Sequence, residues 1–230
     1  MVMKRKLLTY SYEQGLSHIP SALSMLDYVD ELFSNRLVTP EDYIIIGKPF
    51  GSQAYYLVWE KLGYLDNIES LSPGLKHDEI DFVDYSEETI GNALGVASGI
   101  ALTTDRLIWV NITDGALQMG NTLEAIQFIG AKCQNNILLT VDYNGSQVTG
   151  RTDDIITVDP VIQMLSLYGW DVHYDSLDNF KISDKPSAFI MNTVKGDGVD
   201  TMIQDEKKWH YKKIETLKEL QSLVAELQVI

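Results

Sequence analysis

Two short apolar runs, residues 107–112 and 137–141, bracket a segment at 121–133 with the length and periodicity of a helix. Strands that are apolar on both sides and joined by a helix-length crossover must pair in parallel, because antiparallel neighbours need only a short turn between them. The rest of the chain repeats this alternation. Strands are expected at 170–174 and 188–192, and helices at 21–33, 52–62, 91–102 and 160–168. The helix at 91–102 is rich in small residues, which reads as close packing against a sheet. Residues 66–88 turn polar and acidic around Pro73-Gly74 and read as a long surface loop. The fold class that follows is α/β, a doubly wound, mostly parallel sheet flanked by helices. Its 230 residues can be one domain, 1–230, ending at 211–230 in an amphipathic helix whose Leu217, Leu220, Val224 and Leu227 share one face.

Charge narrows the partners. With 18 basic against 33 acidic residues, the net charge of −15 disfavours nucleic acid or an anionic membrane surface. A polyanionic ligand must then be held locally, by a metal ion or by backbone N–H groups. A single cysteine, Cys133, permits no intrachain disulfide. The basic start lacks the apolar stretch of a secretory signal, and no later run approaches a membrane span. The expectation is a soluble, cytoplasmic protein.

In an open parallel sheet, ligands gather beyond the carboxyl ends of the strands. Asp114 and Asn144 each follow one of the two opening runs, and each is followed by a glycine, Gly115 and Gly145. A hard divalent cation takes oxygen ligands, and a carboxylate, an amide oxygen and a backbone carbonyl supply half an octahedron. A diphosphate and water would complete it, with glycine allowing close approach and the helix start after Gly120 offering N–H groups. Asp-Gly and Asn-Gly are also common turn dipeptides, and two turns need no metal.

The segments TDGALQMGNTLEA (113–125) and VDYNGSQVTGRTDDI (141–155) resemble the thiamine diphosphate motif of the transketolase family. Other segments match family motifs in order: HIPSALS (18–24), IIGKPFGSQAYYLVWEKLGYL (45–65), TIGNALGVASGIAL (89–102) and NTVKGDGVDTMIQDEKKWH (192–210). The resemblance implies that Asp114, Asn144 and the Ser146 backbone carbonyl bind Mg²⁺ (or Ca²⁺), with Gly115 against the cofactor's diphosphate. It also implies that His18 and His210 act at the cofactor, near its diphosphate and reacting carbon. Glu124 matches a family glutamate near the subunit contact, and Lys195-Gly196 matches the Lys-Gly of a downstream loop.

The family's whole chains also carry a pyrimidine-binding domain and a C-terminal domain. The resemblance therefore implies the N-terminal subunit of a split enzyme, with a second subunit supplying those domains and a catalytic glutamate in a heterotetramer. The core face of the crossover helix, including Ile126, Phe128 and Ile129, is a candidate partner surface. Some positions depart from the family pattern. Thr113 replaces a glycine, Met119 a glutamate and Phe50 a histidine; His77 and Leu75 are ambiguous alternatives for another family histidine. The implied activity is transfer of a two-carbon unit to or from a sugar. Phe50 favours a second possibility, decarboxylation of a 2-oxo acid such as pyruvate with acetyl transfer to a sugar in branched-sugar biosynthesis. A third is a noncatalytic regulatory or scaffolding subunit.

Overall fold

In a computed structural model of the chain, residues 1–69, 71–177 and 183–227 are described. The helices are α1 (Val2–Glu13), α2 (Ile19–Ser34), α3 (Gln53–Lys61), α4 (Ala93–Ala101), α5 (Gly120–Lys132), α6 (Thr152–Ile155), α7 (Asp159–Leu167), α8 (Asp200–Gln204), α9 (Glu206–Trp209) and α10 (Leu217–Glu226). The strands are β1 (Tyr43–Ile46), β2 (Tyr85–Ser86), β3 (Ile108–Thr113), β4 (Ile137–Tyr143), β5 (Ser146–Gln147), β6 (Gly150–Arg151), β7 (Asp171–Tyr174) and β8 (Ser187–Asn192). They divide between two compact units. One comprises Met1–Asn35, Phe50–Leu75 and Thr193–Ile230, the other Arg36–Pro49 and Lys76–Asn192.

The second unit holds a six-stranded parallel sheet in the order β2-β1-β3-β4-β8-β7. Its central strands are β-branched and aliphatic and buried on both faces, as parallel strands must be. Tyr43 is level with Ile108, and Ile108 with Ile137, so the carboxyl ends of β1, β3 and β4 lie side by side. From β1 the chain proceeds to β2 on one side of the pair, and from β3 to β4 on the other. The carboxyl ends of β1 and β3 therefore flank a topological switch point, where ligands of such sheets collect. Ile45, Val110, Ile112, Leu139, Val141 and Ile190 pack with Ala93, Leu94 and Ala97 of α4, Ile126 and Ile129 of α5, and Leu165 of α7.

The start of α4 is pinned by the buried Glu87, whose carboxylate accepts the N–H groups of Gly91 (3.0 Å), Asn92 (2.8 Å) and Ala93 (2.8 Å). Those donors lack helical partners, and the helix dipole favours an anion there. Burial nevertheless raises the Glu87 carboxyl above its ordinary range, against the lowering by the three N–H groups. Gly47 makes the approach possible, because a Cβ there would stand 2.7 Å from Ala93 Cβ and 3.1 Å from Glu87 Oε1.

In the first unit α2 packs on α3, and α1 on both. Trp59 stacks on Tyr55 at 5.5 Å and meets Phe33 edge-on at 5.8 Å. The C-terminal helix α10 docks on α1 through a buried stripe of Leu220, Leu223 and Leu227. Leu217 is exposed, so the stripe is rotated from the face expected from the sequence; residues 228–230 lie outside the described residues.

Other expectations need correction. The loop at 66–88 contains β2, two residues that pair with Ile45 and Ile46 because β1 offers them a parallel edge. The opening segment, for which the sequence reading expects no element, forms α1 and buries Leu7, Leu8 and Tyr10. The close packing expected of the helix at 91–102 is present and is made by Ala93, Leu94 and Ala97 of α4, while Gly95 and Gly99 face outward. Ile126 and Ile129 belong to the core, leaving Phe128 exposed. Among the described residues no helix is long and apolar enough to cross a membrane.

Candidate functional site

Asp114 opens a 3₁₀ turn immediately after β3, and Asn144 follows β4, so the parallel register delivers both to one edge of the second unit. They meet through the backbone. Asp114 Oδ2 accepts the Gly145 N–H at 2.7 Å and the Thr152 hydroxyl at 3.0 Å. Its Oδ1 accepts the Gly115 N–H at 2.7 Å and the Thr113 hydroxyl at 3.1 Å. Asn144 Oδ1 accepts the Ser146 N–H at 3.0 Å, and its Nδ2 donates to Asp142 Oδ2 at 2.7 Å. Asp142 also forms an ion pair with Lys48, which follows β1.

This edge fits a hard cation with a polyanion. Asp114 is 0% exposed, and the donors named above are all neutral. Burial pushes its carboxyl upward, the neighbouring Asp142 adds to this, and the Thr152, Thr113 and Gly115 hydrogen bonds oppose it. A cation would relieve the desolvated charge. The Asn144 amide oxygen keeps a second lone pair beyond its bond to Ser146. At Gly115 a Cβ would meet nothing nearer than Gln147 Oε1 at 3.5 Å, so the protein's own packing does not demand glycine there. Bareness at that point leaves room for a ligand beside the carboxylate. Gly145, at φ +65°, adopts a conformation that side chains resist. Among the described residues no trio of His, Cys, Asp or Glu is grouped to hold a metal, so any cation here would need amide and carbonyl oxygens beside the Asp114 carboxylate.

In the first unit His18 caps α2 in the left-handed conformation. Its ring stacks on Phe50 at 4.8 Å and meets His210 at 4.9 Å and Tyr211 at 5.2 Å. Ser17 Oγ lies 2.9 Å from His18 Nδ1. The turn carrying Phe50 reaches the ring because Gly51, at φ +91°, sits so near α2 that a Cβ would be 2.9 Å from the Ala22 nitrogen. Lys195 is buried with its Nζ 3.1 Å from His210 Nδ1. An ammonium only donates, so Nδ1 accepts and the proton of a neutral His210 resides on Nε2. Burial, then Lys195, then His18 lower the His210 pKa to about 4, leaving a neutral ring with an N–H to offer at neutral pH. Gly196 N–H donates to the Pro20 carbonyl at 3.0 Å, tying this loop to the start of α2.

Thus Asp114, Gly115, Asn144 and Ser146 gather in one unit, and His18 and His210 in the other. Glu124 is exposed on α5, lining an open cleft of about 440 Å³ with Asn92, Gly95, Asn121 and Phe128. Met119 packs at the start of α5, where a Cβ on Gly91 would meet its Cβ at 2.8 Å. His77 is exposed, 3.1 Å from Asp78, and Leu75 is buried. Sequence reasoning missed Lys48, Asp142, Thr152 and Tyr211. Lys48 and Asp142 carried a usable signal, since both stand at strand ends.

Comparison with known proteins bears on this architecture. No protein-family model matches the chain. Over 228 residues it is 29% identical to one of the subunits of the apulose-4-phosphate transketolase of Actinobacillus succinogenes, covering 85% of this chain and 82% of that protein. It is 25% identical to the 6-deoxy-6-sulfo-D-fructose transketolase subunit SqwG of a Clostridium species, covering 86% and 84%. The chain is a homologue of transketolase subunits. These homologues are transketolase-type transferases. A Pichia stipitis transketolase variant solved with fructose 6-phosphate superposes with a TM-score of 0.71 at 18% identity. That match covers 98% of this chain but 43% of the solved chain, and it establishes the fold.

Proposed function

We propose that this chain is the Mg²⁺- and thiamine diphosphate-binding subunit of a two-part transketolase-like transferase that moves a two-carbon unit to or from a sugar. The observation that carries the reading is the edge at β1, β3 and β4, where a fully buried Asp114 carboxylate rests on neutral donors beside the bare Gly115. Asp114, the Asn144 amide oxygen and the Ser146 carbonyl would hold the cation, with Gly115 facing the diphosphate. Bound thiamine diphosphate supplies an electron sink for a carbanion. His210, neutral with its proton on Nε2, would offer that N–H as a hydrogen-bond donor to a substrate oxygen. Lys195 fixes that tautomer, and His18, whose ring meets that of His210, would act beside it. A second polypeptide, with pyrimidine and C-terminal domains, would supply the glutamate that activates the cofactor, in a heterotetramer. Support for a partner comes from the relatives named as subunits.

The test is Asp114→Ala with titration calorimetry of Mg²⁺ and thiamine diphosphate. Affinity is expected to fall by more than about 100-fold, beyond the loss typical of an outer-shell partner, with the folded state retained. Undiminished binding would refute the assignment.

One observation favours a second reading, in which the donor is a 2-oxo acid such as pyruvate. Phe50 lays an apolar ring on His18 and remains 42% exposed. Such a wall suits a methyl group better than a hydroxymethyl group. Efficient consumption of xylulose 5-phosphate with pyruvate ignored would exclude it.

A further inference from the structure

Lys48 and Asp142 form an ion pair at the sheet edge, with their side chains 6% and 0% exposed. A buried ion pair seldom stabilises a fold more than an apolar pair of the same size, because both charges must be desolvated. Its presence here calls for a reason beyond stability, and the hydrogen bonds supply one. Asp142 Oδ2 accepts both Lys48 Nζ and, at 2.7 Å, Asn144 Nδ2. An ionised carboxylate only accepts, so it selects the NH₂ end of the Asn144 amide. Because the amide is planar, Oδ1 is then turned away from Asp142, toward the turn that holds the Ser146 N–H. The Ser146 N–H asks for the oxygen at one end of the amide and Asp142 for the NH₂ at the other, so the two contacts together select one orientation, and only the oxygen can ligate a cation. Lys48 completes the device by offsetting the Asp142 charge, so that two uncompensated carboxylates do not confront each other across the edge with Asp114.

We infer that Asp142, held by Lys48, is a positioning residue that fixes the Asn144 amide with its oxygen turned toward the cation site. The inference rests on the proposed function, in which Asn144 is a ligand. It spreads the device over neighbouring strand ends, with Lys48 after β1, Asp114 after β3, and Asp142 and Asn144 at the end of β4. A single residue slip of β4 would uncouple the pair, so the parallel register itself sets the ligand.

The test uses the full chain with Mn²⁺ and thiamine diphosphate, following free Mn²⁺ by electron paramagnetic resonance. Binding by the parent protein is the control for the proposed function, and its absence would defeat that reading and the inference with it. Given parental binding, Lys48→Met/Asp142→Leu replaces the ion pair by apolar side chains. It is expected to keep the parent's thermal midpoint while weakening Mn²⁺ about 10- to 100-fold, as loss of outer-shell support does. Parent-like affinity would overturn the inference. If this variant does not fold, Asp142→Asn decides, since it is isosteric but can offer either end of its own amide. Its Mn²⁺ affinity is expected to fall about 10-fold. In addition, the Asn144 side-chain NH₂ signals are expected to exchange faster with solvent while the backbone amides of β4 stay protected. An unchanged affinity with unchanged side-chain exchange would overturn it.

Discussion

The two clusters are built from opposite materials. At the sheet edge, charges are met by backbone: Asp114 takes N–H groups from Gly115 and Gly145, and each is fixed by the path of the chain. In the helical unit, rings are met by rings: His18 lies among Phe50, His210 and Tyr211, with Phe50 and Tyr211 largely exposed. A buried carboxylate held by main-chain donors has one productive geometry, whereas stacked rings at a partly open surface can exchange partners at small cost. The sheet edge is therefore the brittle half, and the ring cluster the adjustable one.

The largest effect is expected at Gly47. Its Cβ would come within 2.7 Å of Ala93 Cβ and 2.8 Å of Ile112 Cγ2. Gly47→Ala must push α4 off the sheet or shift the backbone that carries Lys48. A loss of about 1–3 kcal/mol is expected for such overpacking, read as a lower thermal midpoint. An unchanged midpoint would mean that this edge yields more easily than its contacts imply.

Smaller effects are read against pH. His210 is lowered from 6.5 to about 4, mainly by burial and then by Lys195 and His18. The unfolded chain then binds the proton more readily than the folded one, so stability is intact above pH 6.5 and declines as pH falls through about 4. Tyr143, in the sheet unit, is raised from 10 to about 12 by burial and by its bond to Asp159. The unfolded phenol ionises first, so its contribution is intact below pH 10 and is lost as pH rises through about 12. His210→Gln should flatten only the acid limb of the stability profile and Tyr143→Phe only the alkaline limb, each by well under the Gly47 effect because both groups are partly solvated. Unfolding midpoints across pH check this, and crossed effects would break the assignment of His210 to the acid limb and Tyr143 to the alkaline one.

How much of this is readable from the sequence follows from range. The β3–α5–β4 crossover is legible because its strands are apolar on both faces and its helix keeps a helical period. The placing of Asp114 and Asn144 at strand ends follows from that. β2 is not legible, since two residues carry no periodicity and pair only because β1 offers an edge. The packing of α4 on the sheet is legible, but small residues at helical spacing do not reveal that Gly95 and Gly99 are on the outward side. Lys48 and Asp142 lie 94 positions apart, and their pairing depends on the register across three strands. The family resemblance supplies His18 and His210, but the stacking of Phe50 on His18 requires the turn at Gly51.

The smallest structural effect is expected at Phe50, where the chemical effect is the most informative. Phe50→His replaces one flat ring by another on a residue that is 42% exposed, so the stack on His18 survives and little apolar burial is lost. A stability change within about 0.5 kcal/mol is expected, as for other exposed positions. The new ring adds a donor and an acceptor where there was only hydrocarbon. If the apolar wall sets the donor, the variant, assayed together with its partner polypeptide, should lose activity toward pyruvate and gain activity toward a ketose phosphate. Equal treatment of both donors by parent and variant would show that the wall does not choose.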